Sequence, residues 1–281
     1  MAQSSVLRMS LDTTTRLNND VEMPVFGLGV YQSAPGRVTQ EAVKTALKIG
    51  YRLVDTAAIY QNEADVGIAL KQSGVDREKI FVTTKLWNAD QGYDSALSAF
   101  DSSLKRLGLK YLDLYLIHWP EPSLRLESWK ALSKLLEDGK TRSIGVSNFT
   151  ISHLEELLEN SSVVPMVNQV EFNPFLYQKK LLDYCNRKGI RVEAYSPLAR
   201  SEKLDNPLLK ELSGKYRKSP AQLMIRWSLQ HGLIVIPKSV KSERIRENSD
   251  VFDFEISEKD MRLLDGLNED YRANWDPTNV T

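Results

Sequence analysis

Eight short apolar or β-branched runs recur along this chain: VFGLGV, YRLVDT, KIFVTTK, YLDLYLIH, RSIGVS, MVNQVEF, IRVEAY and LIVIPK. Most are continuous rather than alternating, as expected of strands covered on both faces in a parallel sheet, and such strands need a crossover segment between them. The intervening segments supply it. DSALSAFDSSLKRLG sets Leu97, Phe100, Leu104 and Leu107 on one helical stripe, with Gly108 as its stop. SPAQLMIRWSLQHG offers Ser219 as N-cap, Pro220 at the first helical position and Gly232 as terminator. Gly50, Gly139 and Gly189 each end a helical pattern just before the next run. Eight such units predict an α/β fold, a (β/α)8 TIM barrel forming a single domain over residues 1–281, with TRLNNDVEMP ahead of it as a β-hairpin capping the barrel bottom. A doubly wound sheet fits the same alternation, because a sequence does not display closure.

Composition narrows the function classes. A chain of 281 residues that is 42% hydrophobic can bury one large core, and 37 basic against 37 acidic residues leave no global field for nucleic acid or an anionic membrane. The single cysteine, Cys185, excludes an internal disulfide and reads as buried helix filler. The N-terminal stretch MAQSSVLRMSLDTTTR shows no apolar leader core and no run approaches a membrane span, so the cytoplasm is the expected location. The triplets NFT, NSS and NVT then read as chance matches to the glycosylation pattern. His118, His153 and His231 show no metal-ligand spacing, so no metal is expected.

In a closed parallel barrel the C-terminal strand ends share one face. The runs end at Asp55, Lys85, His118, Ser147 with Asn148, Tyr195 with Ser196, and Lys238 with Ser239, while Gln169 and Glu171 close the sixth. Taken singly, an acid there is a turn former, a lysine is solvated and a histidine is a satisfied core residue. Together they suggest chemistry. A buried lysine on one stave beside an aspartate on the next forms a pair that neither can leave. Tyr60, just past Asp55, can lean over the same pocket. A cation about 4 Å from a phenol contributes about 4 kcal/mol at an effective dielectric of about 20, up to about three powers of ten in acidity before any opposing effect, so Lys85 is expected to make Tyr60 a usable acid even though Asp55, by pairing with it, offsets part of that shift. His118 can orient a carbonyl oxygen. No side chain donates hydride, so a nicotinamide or flavin is required. GLGVYQ lacks the third glycine of a Rossmann fingerprint, but Lys238, Lys241, Arg244 and Arg246 cluster in IPKSVKSERIRENSD ahead of a short helix, where barrels bind phosphate. Two other readings stay open: a Schiff-base lyase with Lys85 as nucleophile, and a barrel that binds without catalysing.

Three stretches, GYRLVDTAAIYQNEADVG, YLDLYLIHWP with GVSNF, and IPKSVKSERIRENSDVFDF, together resemble the aldo-keto reductase superfamily from about Glu22 to Asn268. The resemblance implies a monomeric (β/α)8 barrel that reduces aldehydes and ketones with NADPH, through a tetrad of Asp55, Tyr60, Lys85 and His118 in which Tyr60 is the general acid. It implies that Ser147, Asn148 and Gln169 hold the nicotinamide carboxamide, that Tyr195 stacks on the ring, and that Ser196 and Leu198 follow the pyrophosphate. Gly29, Val30 and Tyr31 would lie near the nicotinamide end, with Lys238, Ser239 and Arg244 on the 2′-phosphate and Glu247 and Asn248 on the adenine. Val30 stands where many members have threonine, and Asn173 where many have histidine. Trp87, Trp119 and Tyr31 look like pocket walls around a small-molecule carbonyl substrate. The short connection PEPSLRLES and short tail resemble the bacterial and protist branch, which includes glyoxal and methylglyoxal reductases, diketogluconate reductases and prostaglandin F synthases. An open pocket with broad aldehyde acceptance is therefore expected.

Overall fold

In the computed structural model, which describes residues 9–280, the eight runs form one parallel sheet whose strands lie in chain order. A hairpin of β1 (Thr14–Arg16) and β2 (Glu22–Pro24) precedes the barrel strands β3 (Leu28–Gly29), β4 (Leu53–Asp55), β5 (Phe81–Leu86) and β6 (Leu114–Ile117). The circuit continues through β7 (Ile144–Ser147), β8 (Val167–Glu171), β9 (Arg191–Tyr195) and β10 (Ile234–Val235). The last strand returns to the first. Gly27 N donates to Val235 O and Val235 N donates to Val25 O, each at 2.9 Å, and parallel bridges pair Phe26 with Val235 and Gly29 with Lys238. Closure with strands in sequence order excludes the doubly wound alternative, which reverses order at a switch point. The first eight of the sixteen N-terminal residues read as leaderless, the last residue of NVT and both ends of the 1–281 domain lie outside the described residues.

The helices form where the pattern placed them. They are α1 (Arg37–Ile49), α2 (Glu63–Gln72), α3 (Tyr93–Leu107), α4 (Arg125–Glu137), α5 (Ile151–Asn160) and α6 (Lys179–Arg187). After β9 come α7 (Pro207–Tyr216) and α8 (Pro220–Gln230), and after β10 come α9 (Ser242–Ser249) and α10 (Glu258–Asp265). Gly108 ends α3 at φ 65°, a left-handed turn that a side chain rarely adopts. Ser219 caps α8 by accepting from Gln222 N, while the Gln222 side chain reaches back to Ser219 N. No helix among the described residues is long and apolar enough to cross a membrane.

The hairpin seals the N-terminal end as expected. Leu17 is buried there, the turn residues Asn18 and Asn19 donate through Nδ2 to Pro165 O and Arg142 O, and Arg16 O of the hairpin accepts from Arg191 Nε. Those bonds reach the segments leading into β7, β8 and β9, so the bottom is closed and the site is left to the top. Every residue of β5 and β8 is buried, since each strand faces the barrel interior on one side and the helices on the other.

Candidate active site

Asp55, Lys85 and His118 stand at or just beyond the ends of the neighbouring strands β4, β5 and β6. Lys85 is fully buried, so its ammonium must be satisfied internally. It donates to Asp55 Oδ1 at 2.6 Å, to Thr56 O at 2.9 Å and to the Tyr60 hydroxyl at 3.4 Å. That uses all three of its N–H groups. Tyr60 comes from a single tight helical turn, Ala58–Tyr60, and α2 begins only at Glu63. The Tyr60 ring lies 5.6 Å from that of His118 and 5.0 Å from that of Tyr31, and Trp87 lies 5.3 Å from His118.

One expectation is corrected. Burial pushes the Tyr60 phenol well above its ordinary range, with Asp55, Tyr31 and Glu193 adding to the effect. The net shift is upward despite the neighbouring ammonium of Lys85. The ammonium is shared with Asp55 at 2.6 Å, and withdrawing a phenolate from water costs more than a shared cation returns. Tyr60 therefore holds its proton throughout the neutral range. Burial, and then the charge of Lys85, keep His118 well below the usual imidazole range, so it is neutral. Its Nδ1 is buried without a hydrogen-bond partner among the described residues. A proton there would be a stranded donor, which places the hydrogen on Nε2.

Around this group the remaining strand-end residues satisfy one another. Ser147 Oγ donates to Gln169 O, and Asn148 Nδ2 donates to Ser147 Oγ and to His118 O. Asn148 Oδ1 accepts from the half-buried Tyr195 hydroxyl at 2.8 Å. Gln169 Nε2 crosses the barrel to Asp55 Oδ2 and also donates to Glu193 Oε2, both at 2.8 Å. Val30 is buried and its carbonyl accepts from Asn62, while Asn173 anchors a turn by accepting from Phe175 N. The bridge between Gly29 and Lys238, with Lys238 Nζ on Gln32 O, joins the start of the basic segment to the loop after β3. Ser239 and Asn248 are buried, and Arg244 and Glu247 are exposed on α9. No contact among the described residues joins Arg244, Glu247 or Asn248 to the tetrad.

The sequence reading passed over three participants. Glu193 lies under Asp55, fully buried. Glu171, read only as a strand end, accepts from Ala273 N at 2.8 Å and Asn274 N at 3.1 Å, and so pins the C-terminal tail. That tail reaches Ser196, whose Oγ accepts from Asn274 Nδ2, and sets Trp275 edge-on to Trp119 at 6.3 Å. Leu198 packs half-buried at the edge of the core. Glu193 alternates with Arg191 on one face of the run IRVEAY and so carried little signal; the tail carried none.

A closed parallel barrel with an aspartate, tyrosine, lysine and histidine clustered at its C-terminal face defines a class of barrel oxidoreductase, and comparison with known proteins agrees. Residues 26–269 match the Aldo/keto reductase family. The chain is 56% identical over 268 residues to the glyoxal reductase of Bacillus subtilis (strain 168), covering 95% of this chain and 97% of that protein. Its fold superposes with a TM-score of 0.92 on an aldo-keto reductase from a deep-sea metagenome library of the Medee basin, at 46% identity over 95% of this chain and 99% of that one. A Bombyx mori aldo-keto reductase solved in complex with NADP is similar at a TM-score of 0.87 and 37% identity, over 93% and 94% of the two chains. The chain belongs to the aldo/keto reductase family.

Proposed function

We propose that this protein reduces aldehydes and ketones to alcohols with NADPH, and that Tyr60 delivers the proton to the carbonyl oxygen. One observation carries the reading. Because Lys85 donates to the Tyr60 oxygen, the hydrogen of that phenol is directed away from the ammonium and remains free for an acceptor. A phenol that keeps its proton at neutral pH is the right reservoir for an oxygen that becomes strongly basic as hydride arrives at its carbon. His118, carrying its hydrogen on Nε2, donates to the same oxygen and holds the carbonyl in register. Asp55 keeps the ammonium fixed throughout.

The residues present fit NADPH, which when bound supplies the hydride. Lys241, Arg244 and Arg246 are exposed and make no ion pair among the described residues; Lys241 and Arg244 stand at the start of α9 and Arg246 in its last turn, a donor set suited to an extra phosphate. Lys238, Ser239, Glu247 and Asn248 complete that end. Half-buried Tyr195 offers an aromatic face, and Ser147, Asn148 and the oxygen of Gln169 can trade their mutual bonds for a carboxamide. Gly29, Val30 and Tyr31 border the same end, with Ser196 and Leu198 between. The likeness to a reductase solved with NADP supports this cofactor.

Tyr31, Trp87 and Trp119 wall the substrate side with planar apolar surface. Small aldehydes and dicarbonyls are the substrate class we assign, supported by the 56% identity to a glyoxal reductase. We further read the chain as one barrel domain that works as a monomer in the cytoplasm. The test is NADPH consumption with glyoxal, methylglyoxal and 4-nitrobenzaldehyde. Turnover of more than one supports the reading; tight NADPH binding with no turnover of any would instead mark a non-catalytic cofactor-binding barrel.

A further inference from the structure

Beneath the tetrad lies an acid that the chemistry above leaves unused. Glu193 in β9 is paired in register with Gln169 in β8, and its side chain is fully buried. Gln169 Nε2 gives one hydrogen to Glu193 Oε2 and the other to Asp55 Oδ2, each at 2.8 Å. Both amide hydrogens are thereby taken, and only the oxygen limb of Gln169 stays available to a ligand. A reversed amide would set that oxygen against two acids.

The buried cluster holds two acids and one ammonium. Lys85 bonds Asp55 at 2.6 Å and makes no hydrogen bond to Glu193, whose Oε1 has no partner among the described residues. An ionised carboxylate so placed would be very costly, so of the two acids Glu193 keeps the proton. The groups that face it are Asp55 from β4, Lys85 from β5, Gln169 from β8 and Tyr60 above. Burial, then the charge of Asp55, raise its carboxyl to about 8, against the opposing pull of Gln169 and Lys85.

We propose that Glu193 is a positioning residue: as a neutral acid it locks the orientation of the Gln169 amide and leaves the charge of Lys85 to Asp55 and Tyr60. Its ionisation brings a second negative charge to bear on Lys85 and loosens the hold on Tyr60. The activity readout rests on the reductase reading; the binding and melting readouts do not.

The experiment compares wild type, Glu193→Gln and Glu193→Leu by kcat/KM against pH, NADPH affinity by fluorescence, and melting temperature against pH. Wild type should lose kcat/KM above a pH of about 8. Glu193→Gln, which keeps a carbonyl acceptor and cannot ionise, should lose that alkaline limb. Glu193→Leu should weaken NADPH binding about tenfold or more by freeing the amide, and Glu193→Gln should restore most of it. A carboxyl raised in the folded state makes wild-type stability fall as pH rises from its unfolded value toward about 8, a slope that Glu193→Gln should lack. An alkaline limb and a melting slope unchanged in Glu193→Gln would overturn the proposal, even if Glu193→Leu fails to fold. Absence of turnover in all three proteins, with the melting slopes differing as stated, would sink the reductase reading and leave Glu193 in place.

Discussion

Replacing Lys85 with methionine keeps the shape of the side chain and deletes three hydrogen bonds together with the one cation that bonds Asp55 among the described residues. Two unit charges 2.6 Å apart attract by about 6 kcal/mol at an effective dielectric of about 20. The loss is capped because a stranded Asp55 takes up a proton instead, and protonating a carboxyl of ordinary pKa about 3.9 at pH 7 costs about 4 kcal/mol. The variant should therefore lose about 3–5 kcal/mol at pH 7. Burial already raises the Asp55 carboxyl in wild type against the pull of Lys85 and Gln169, and without the cation it rises further, so the deficit is full near neutrality and shrinks as pH falls through the wild-type value. Adding Asp55→Asn removes the stranded charge, and the double variant should be more stable than Lys85→Met alone, with a coupling of about 3 kcal/mol. Urea unfolding of the four proteins, at neutral pH and near pH 5, reads this directly when fluorescence and circular dichroism transitions coincide. Single losses that simply add in the double variant, or a deficit independent of pH, would refute the coupling.

Other outcomes follow from the same geometry. Arg244→Ala should weaken NADPH about tenfold while leaving NADH nearly unchanged, because an exposed cation on an extra phosphate acts on only one of the two cofactors; titration at fixed ionic strength checks it. Trp275→Ala should raise KM for aromatic aldehydes about three- to tenfold with kcat little altered, since this ring stands edge-on to Trp119 at the rim and is 73% exposed. Gly67→Ala should cost about 1–3 kcal/mol or more, measured by urea unfolding, because the added Cβ would lie 2.1 Å from Leu107 O where α2 crosses the end of α3.

The barrel and its tetrad were legible because parallel strands buried on both faces read as apolar runs, so the polar residue that ends each one stands out. Asp55, Lys85 and His118 are visible in this way, and β4, β5 and β6 do lie side by side. Closure was not legible, since it depends on Phe26 and Gly29 meeting Val235 and Lys238 across nearly the whole chain. Glu193 was missed because an acid in the middle of IRVEAY reads as an outward residue of an alternating strand; only the register with Gln169 turns it inward. The acidity of Tyr60 was misjudged for a different reason. The pairing of Asp55 with Lys85 was foreseen, but the cost of taking the phenolate out of water, the largest effect on Tyr60, was not. Trp275 sits on a tail whose course is set by two backbone bonds to Glu171, which no periodicity records.

The most direct measurement is a single-turnover one: Tyr60→Phe mixed in a stopped flow with NADPH and an aldehyde, binding and cofactor oxidation being followed separately. With the phenol as proton donor, NADPH should bind as in wild type and its oxidation should slow by about 10²–10⁴-fold. Oxidation at the wild-type rate would contradict the assignment of Tyr60 and, with it, the chemistry built on Lys85 and Asp55.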